Sequence, residues 1–250
     1  MVDSRWFRRF GAAREGELKL LCFPHAGASA TAFLRLSRTL PAGLDVLSVQ
    51  YPGRQDRRLE EPATSLVPLA EAVAEAWAPA TGRPYAFFGH SMGAVVAYET
   101  ARLLAARGLP LPRRLFLSGR GAPGPSPSVH DRLTTDADVL DAVRRLGGTG
   151  QAVLRDPELL ELVMPVLRAD YRALGSYVWR EGTLLETPVT ALVGDTDPVV
   201  TVQEAMEWGR HTRGDFALEV FPGGHFYLDE QLSRLASVLS AGLLVDVPAS

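Results

Sequence analysis

The chain has 250 residues, 46% of them hydrophobic and 22% charged, a composition suited to a soluble globular fold with one sizeable core. Lys plus Arg total 26 against 29 Asp plus Glu, a net charge of -3, so no global basic field points to nucleic acid or an anionic membrane. The single cysteine, Cys22, excludes an internal disulfide and a zinc site built on several thiolates. No stretch approaches the roughly 18 uninterrupted apolar residues of a membrane span. The Met1 to Arg14 segment has arginines but not the apolar run of a secretory signal. The expectation is a soluble, cytoplasmic protein. Lys19 is the only lysine, a bias that reads as GC-rich coding and carries no chemistry.

Short apolar runs alternate with helix-period segments. Leu18 to Pro24, Leu44 to Val49 and Tyr85 to Phe88 read as strands, as do Arg114 to Ser118, Val189 to Val193 and Phe216 to Val220. Such continuous apolar strands imply burial on both faces, as in a parallel sheet covered by helices. Helical spacing runs over Thr31 to Leu40, Leu66 to Ala78, Ala94 to Arg107, Thr201 to His211 and Tyr227 to about Leu244. The alternation predicts a doubly wound α/β fold, a mostly parallel central sheet flanked by helices. Gly121 to Ser128 is rich in turn residues and breaks the rhythm. Two helical patterns then follow without a strand, Asp136 to Leu146 and Asp156 to about Ser176, with Asp156 as N-cap and Pro157 in the first turn. The reading is one domain over 1–250, with its core at about 1–120 and 187–250. A helical insertion at about 121–186 serves as a lid over the strand ends or as plain helical decoration.

Gly89-His90-Ser91-Met92-Gly93 fits G-x-S-x-G between a predicted strand and a predicted helix, the setting of a nucleophile elbow. A serine hydroxyl needs a base to take its proton, and that base needs a carboxylate to orient it. In this setting the order is serine, acid, histidine, each on a loop after a later strand. His225, in Phe221-Pro222-Gly223-Gly224-His225-Phe226, follows the last strand and is the candidate base. His90 is locked in the elbow, His211 ends a helix, His130 lies in the insertion and His25 comes too early in the chain. Gly194-Asp195-Thr196-Asp197-Pro198 offers two acids; Asp197 is favoured, with Asp195 the alternative that organises the turn. Asp229 reads as a first-turn charge of the last helix. Two backbone N–H groups must hold the oxyanion. Met92 is one, and Ala26 in the loop after the first strand is the other, with Gly27 in reserve; His25 braces that loop or is a surface histidine.

Leu21-Cys22-Phe23-Pro24-His25-Ala26-Gly27, Gln50-Tyr51-Pro52-Gly53-Arg54, Gly89-His90-Ser91-Met92-Gly93-Ala94, Gly194-Asp195-Thr196-Asp197-Pro198 and Gly223-Gly224-His225-Phe226 together resemble the type II thioesterases. These are discrete editing enzymes that accompany modular polyketide synthases and nonribosomal peptide synthetases. The likeness runs from about residue 5 to residue 245, departing at Ala28, where relatives often carry glycine. It implies an α/β-hydrolase fold with Ser91 as nucleophile, Asp197 as acid, His225 as base and a mobile lid over an acyl chamber. The implied reaction is hydrolysis of an acyl thioester from the phosphopantetheine arm of an acyl or peptidyl carrier protein, with no metal or redox cofactor. A monomer is expected, with no nucleic acid or membrane partner. The rival readings are a carboxylesterase on small esters, an acyltransferase, and a non-catalytic module that binds carrier proteins. Carrier proteins are typically acidic, so Arg54, Arg57 and Arg58, or Arg144, Arg145, Arg168 and Arg172, are candidate docking residues, with an ordinary solvated face as the alternative for each. Leu140, Val143, Leu146, Met164 and Leu167 are candidates to line the chamber, with plain helix packing as the alternative, and Cys22 reads as inert core.

Overall fold

The computed structural model describes residues 3, 5–10, 18–126, 128–147, 154–182 and 184–244. Among these, seven strands form one sheet: β1 (Phe7–Arg9), β2 (Leu18–Phe23), β3 (Leu44–Val49), β4 (Tyr85–His90), β5 (Leu115–Ser118), β6 (Val189–Gly194) and β7 (Phe216–Phe221). Their order is β1-β3-β2-β4-β5-β6-β7. Only β1 is antiparallel to its neighbour, pairing Phe7 with Val49; the remaining pairs are parallel.

Alternation on β2 shows why its sequence is apolar throughout. Leu21 and Phe23 enter one core, Leu20 and Cys22 the other, and all four are fully buried. The first core is closed by α2 (Leu66–Trp77) and α3 (Met92–Ala106), the second by α1 (Leu34–Thr39) and α8 (Leu232–Leu244). On α2 the buried residues Leu66, Leu69, Ala70, Val73 and Trp77 recur at helical spacing and make one apolar stripe. Three predicted helices are divided. Ala30–Phe33 is a 3-10 turn that leads into α1, Thr201 to His211 splits into an α-helix at Val202–Met206 and a 3-10 helix at Glu207–His211, and the last segment breaks at Gln231 into α7 (Tyr227–Glu230) and α8.

Between β5 and β6 lie α4 (Asp136–Leu146) and α5 (Pro157–Gly175). Thr135 closes a capping box with Asp138, and Asp156 caps α5 through the N–H groups of Glu158 and Leu159. The two ends of α5 differ. Leu159 and Leu162 are exposed, whereas Leu167, Asp170, Tyr171 and Leu174, beyond Pro165, are buried. α6 (Val202–Met206) carries its own capping box, Thr201 with Glu204. No helix among the described residues is long and apolar enough to cross a membrane.

The chain leaves β2 for β3 on one side and returns to β4 on the other. The loops after β2 and β4 therefore part at the carboxyl ends of the strands, the place where open α/β sheets form their sites.

Candidate active site

Ser91 sits between β4 and α3 with φ 55 and ψ -118, a left-handed conformation rare outside glycine. Such strain costs about 1–3 kcal/mol and is retained where the surroundings fix it. Here the Ser91 N–H donates to the Ser118 carbonyl at 2.8 Å, and Ala94 N–H donates to the Ser91 carbonyl at 3.0 Å. The flanking glycines are required by close approach: a Cβ on Gly89 would strike the Gly93 carbonyl, and one on Gly93 would strike that of Phe23. Under the turn, His90 Nδ1 bonds Ser118 Oγ at 2.9 Å, and that oxygen bonds the Tyr227 hydroxyl at 2.6 Å. Burial, then the neighbouring His225 and His25, hold His90 well below the usual histidine range, so it stays neutral.

His225 and Asp197 meet across 28 residues of sequence. Nδ1 of His225 lies 2.8 Å from Oδ2 of Asp197, with the two side chains only 2% and 0% exposed. The other carboxylate oxygen accepts the N–H groups of Val199 at 3.0 Å and Val200 at 3.3 Å. The acid is thus held at both oxygens, and the imidazole is oriented by one of them. Nε2 of His225 is buried and has no hydrogen-bond partner among the described residues. Asp195 is exposed and accepts the Gly223 N–H at 2.9 Å, so it ties the histidine loop without touching the ring. Asp229 falls in the first turn of α7, and His211 packs against Trp179, Trp208 and Tyr98.

The loop after β2 passes beside Ser91. Gly27 donates its N–H to Asp170 Oδ2 at 2.7 Å, which commits that group. No such bond engages the Ala26 N–H among the described residues, while Met92 N–H opens α3 directly after Ser91. His25 lies edge-on to Phe226 and His90, and burial, then His225, lowers its pKa to about 3. Cys22 is buried in β2, and burial pushes its thiol up.

Two cavities share Ala26, Ser91, Leu146, Tyr171 and His225 as lining. One, about 370 Å³, runs under the Gly121–Gly124 loop past Ser128, His130 and Arg145. The other, about 380 Å³, is more apolar, lined by Val143, Leu160, Val163 and Leu167. Leu140 and Met164 line neither of these two cavities and pack in the core, as the plain-packing reading has it.

Two of the candidate docking arginines are corrected. Arg54 is 5% exposed, with its guanidinium donating to Asp170 and to the Ala28 and Pro52 carbonyls. Arg57 is buried too, bonding Glu60 and the Gln50 carbonyl. These internal bonds leave neither free to meet a partner; Arg58, Arg144, Arg145, Arg168 and Arg172 are exposed. Sequence reasoning missed Asp170 altogether, since one carboxylate in a helical pattern reads as surface.

A mostly parallel sheet, a strained serine elbow after its fourth strand and a carboxylate–histidine pair on the loops after its last two define an α/β-hydrolase. Within that fold, residues 18–243 match the thioesterase domain, and the chain belongs to the thioesterase family. It is 48% identical over 250 residues to the thioesterase PikA5 of Streptomyces venezuelae, covering 98% of this chain and 88% of the relative. It is 42% identical over 245 residues to a probable cadicidin biosynthesis thioesterase of Streptomyces griseus, covering 97% and 67%. The solved type II thioesterase BorB, from the borrelidin biosynthetic cluster, superposes with a TM-score of 0.88 at 40% identity, over 96% of this chain and 98% of BorB. The chain is a thioester hydrolase of the type II class.

Proposed function

We propose that this enzyme releases acyl groups from the phosphopantetheine arm of acyl or peptidyl carrier proteins, an editing role in polyketide or nonribosomal peptide biosynthesis. The observation that carries the reading is the buried His225–Asp197 pair beside a strained serine, where two cavities of different polarity meet. In this reading Ser91 Oγ attacks the thioester carbonyl carbon and its proton passes to His225 Nε2. The N–H groups of Met92 and Ala26 hold the resulting oxyanion. Collapse breaks the C–S bond, and the pantetheine thiol leaves with the proton from His225. Water then attacks the acyl-enzyme with His225 as base, and a second collapse frees the acid and restores Ser91. Both displacements are complete without a metal or redox cofactor.

The apolar cavity suits the acyl chain, and the one bearing Ser126, Ser128 and Arg145 suits the amide-rich pantetheine arm. The relatives support the pathway assignment: one solved neighbour is a thioesterase from the prodiginine biosynthetic pathway of Streptomyces coelicolor. The test compares kcat/KM for one acyl group presented as a carrier-protein thioester and as a matched oxygen ester. A preference for the carrier thioester is expected. Faster turnover of the oxygen ester would make the protein a general carboxylesterase.

A further inference from the structure

Asp170 lies on the buried half of α5, outside the serine, acid and histidine set, yet it is bonded to the loop that carries Ala26. Its Oδ2 accepts the Gly27 N–H at 2.7 Å and the Arg54 guanidinium. Arg54 Nε donates to the Ala28 carbonyl at 2.8 Å, and Nη1 donates to the Pro52 carbonyl at 2.8 Å. One buried ion pair thus holds the loop on both sides of its freest bond, since Gly27 has φ +77. Leu167, one turn before Asp170 on the same face of α5, closes the third side: a Cβ on Gly27 would lie 2.6 Å from its Cδ2. Gln50 completes the frame, accepting the Ala30 N–H at 3.1 Å and donating to the Arg54 carbonyl at 3.1 Å.

A buried ion pair is a weak source of net stability, because desolvation offsets much of its attraction. Side-chain exposures of 4% for Arg54 and 2% for Asp170 put this pair in that regime. What the pair does supply is orientation. The Gly27 N–H belongs to the peptide that follows Ala26, so fixing it restricts the rotation of the residue whose own N–H serves the oxyanion in the proposed mechanism.

We propose that Asp170, braced by Arg54, is a positioning residue that aims the Ala26 N–H at the oxyanion. The inference rests on the reading of Ala26 as an oxyanion donor. It predicts a loss in transition-state binding rather than in substrate binding. Removing one oxyanion donor costs about 10²–10³ in kcat. Asp170→Ala is therefore expected to lower kcat about 10²-fold with KM within about threefold of wild type. Asp170→Asn retains an oxygen at the Oδ2 position for both Gly27 and Arg54 but removes the charge opposite the guanidinium, and is expected to lose about tenfold.

The experiment measures kcat and KM on an acyl-pantetheine thioester for wild type, Asp170→Asn, Asp170→Ala and Ser91→Ala. It also measures the affinity of each active form for an acyl trifluoromethyl ketone, whose serine adduct carries the oxyanion. The expected result is ketone affinity falling in step with kcat while KM holds. Should Asp170→Ala fail to fold, the near-isosteric Asp170→Asn decides. An inactive Ser91→Ala with kcat unchanged in the Asp170 variants would overturn this inference alone. So would a rise in KM matching the activity loss at unchanged ketone affinity, the mark of a merely structural role. A fully active Ser91→Ala would overturn the underlying reading and this one with it.

Discussion

Replacing Asp197 with asparagine changes one atom at the buried end of the His225 hydrogen bond and little else. Oδ1 still accepts from the N–H groups of Val199 and Val200, at 3.0 and 3.3 Å, so the loop keeps its shape with the amide oxygen in that place. The amide nitrogen then stands where Oδ2 faced Nδ1 at 2.8 Å, and two donors oppose each other. His225 is relieved by placing its proton on Nε2, which removes the lone pair that takes the serine proton. With both side chains essentially buried, water does not rescue the pair. The same exchange of Asp for Asn in the serine-protease triad lowers kcat about 10⁴-fold. A loss of about 10³–10⁴ is expected here, or about 4–5.5 kcal/mol at 1.36 kcal/mol per tenfold. Asp195→Asn keeps an exposed acceptor for the Gly223 N–H and is expected to stay within about twofold of wild type. The assay is steady-state release of an acyl-pantetheine thioester by both variants, with thermal melts to show that the fold is intact. Equal losses, or a smaller loss for Asp197→Asn than for Asp195→Asn, would refute the reasoning.

Two further predictions concern stability and specificity. His25 and His90 are held neutral by burial, His25 down to about 3, whereas the unfolded chain protonates near 6.5. Below about pH 6.5 the unfolded state therefore binds protons that the folded state refuses, and stability falls as pH drops, by up to about 1.4 kcal/mol per pH unit for each histidine. Urea midpoints between pH 7 and pH 5 should show this, and His90→Asn should flatten the slope; an unchanged slope would contradict it. Leu160→Trp fills part of the apolar cavity and is expected to cut kcat/KM for long acyl groups at least tenfold while sparing acetyl. Equal losses on both would show that this cavity does not hold the chain.

Most of the architecture was legible because parallel strands are apolar on both faces and site loops follow strand ends. The elbow was readable for a local reason, two glycines at the spacing where backbones touch. The choice of Asp197 over Asp195 was also local, set by depth in the loop. Other features depend on contacts distant in sequence. β1 escaped notice because Phe7–Arg9 is three residues long, two of them arginine, and pairs only at the sheet edge. Arg54 reads as a surface cation until Asp170, 116 residues later, is packed against it. That same contact takes the Gly27 N–H, which leaves Ala26 as the donor that the proposed mechanism uses in the loop after β2. The break at Gln231 is likewise silent in a segment whose apolar spacing continues on both sides.

The central claim is that Ser91 carries the acyl group between the two half-reactions. Intact-protein and peptide mass spectrometry after rapid mixing with a slowly hydrolysed acyl-pantetheine thioester tests it directly. The account predicts one acyl adduct mapped to Ser91 in wild type, a more persistent adduct in His225→Ala wherever acylation still proceeds, and none in Ser91→Ala. An adduct on another residue, or full thioester turnover by Ser91→Ala, would contradict it.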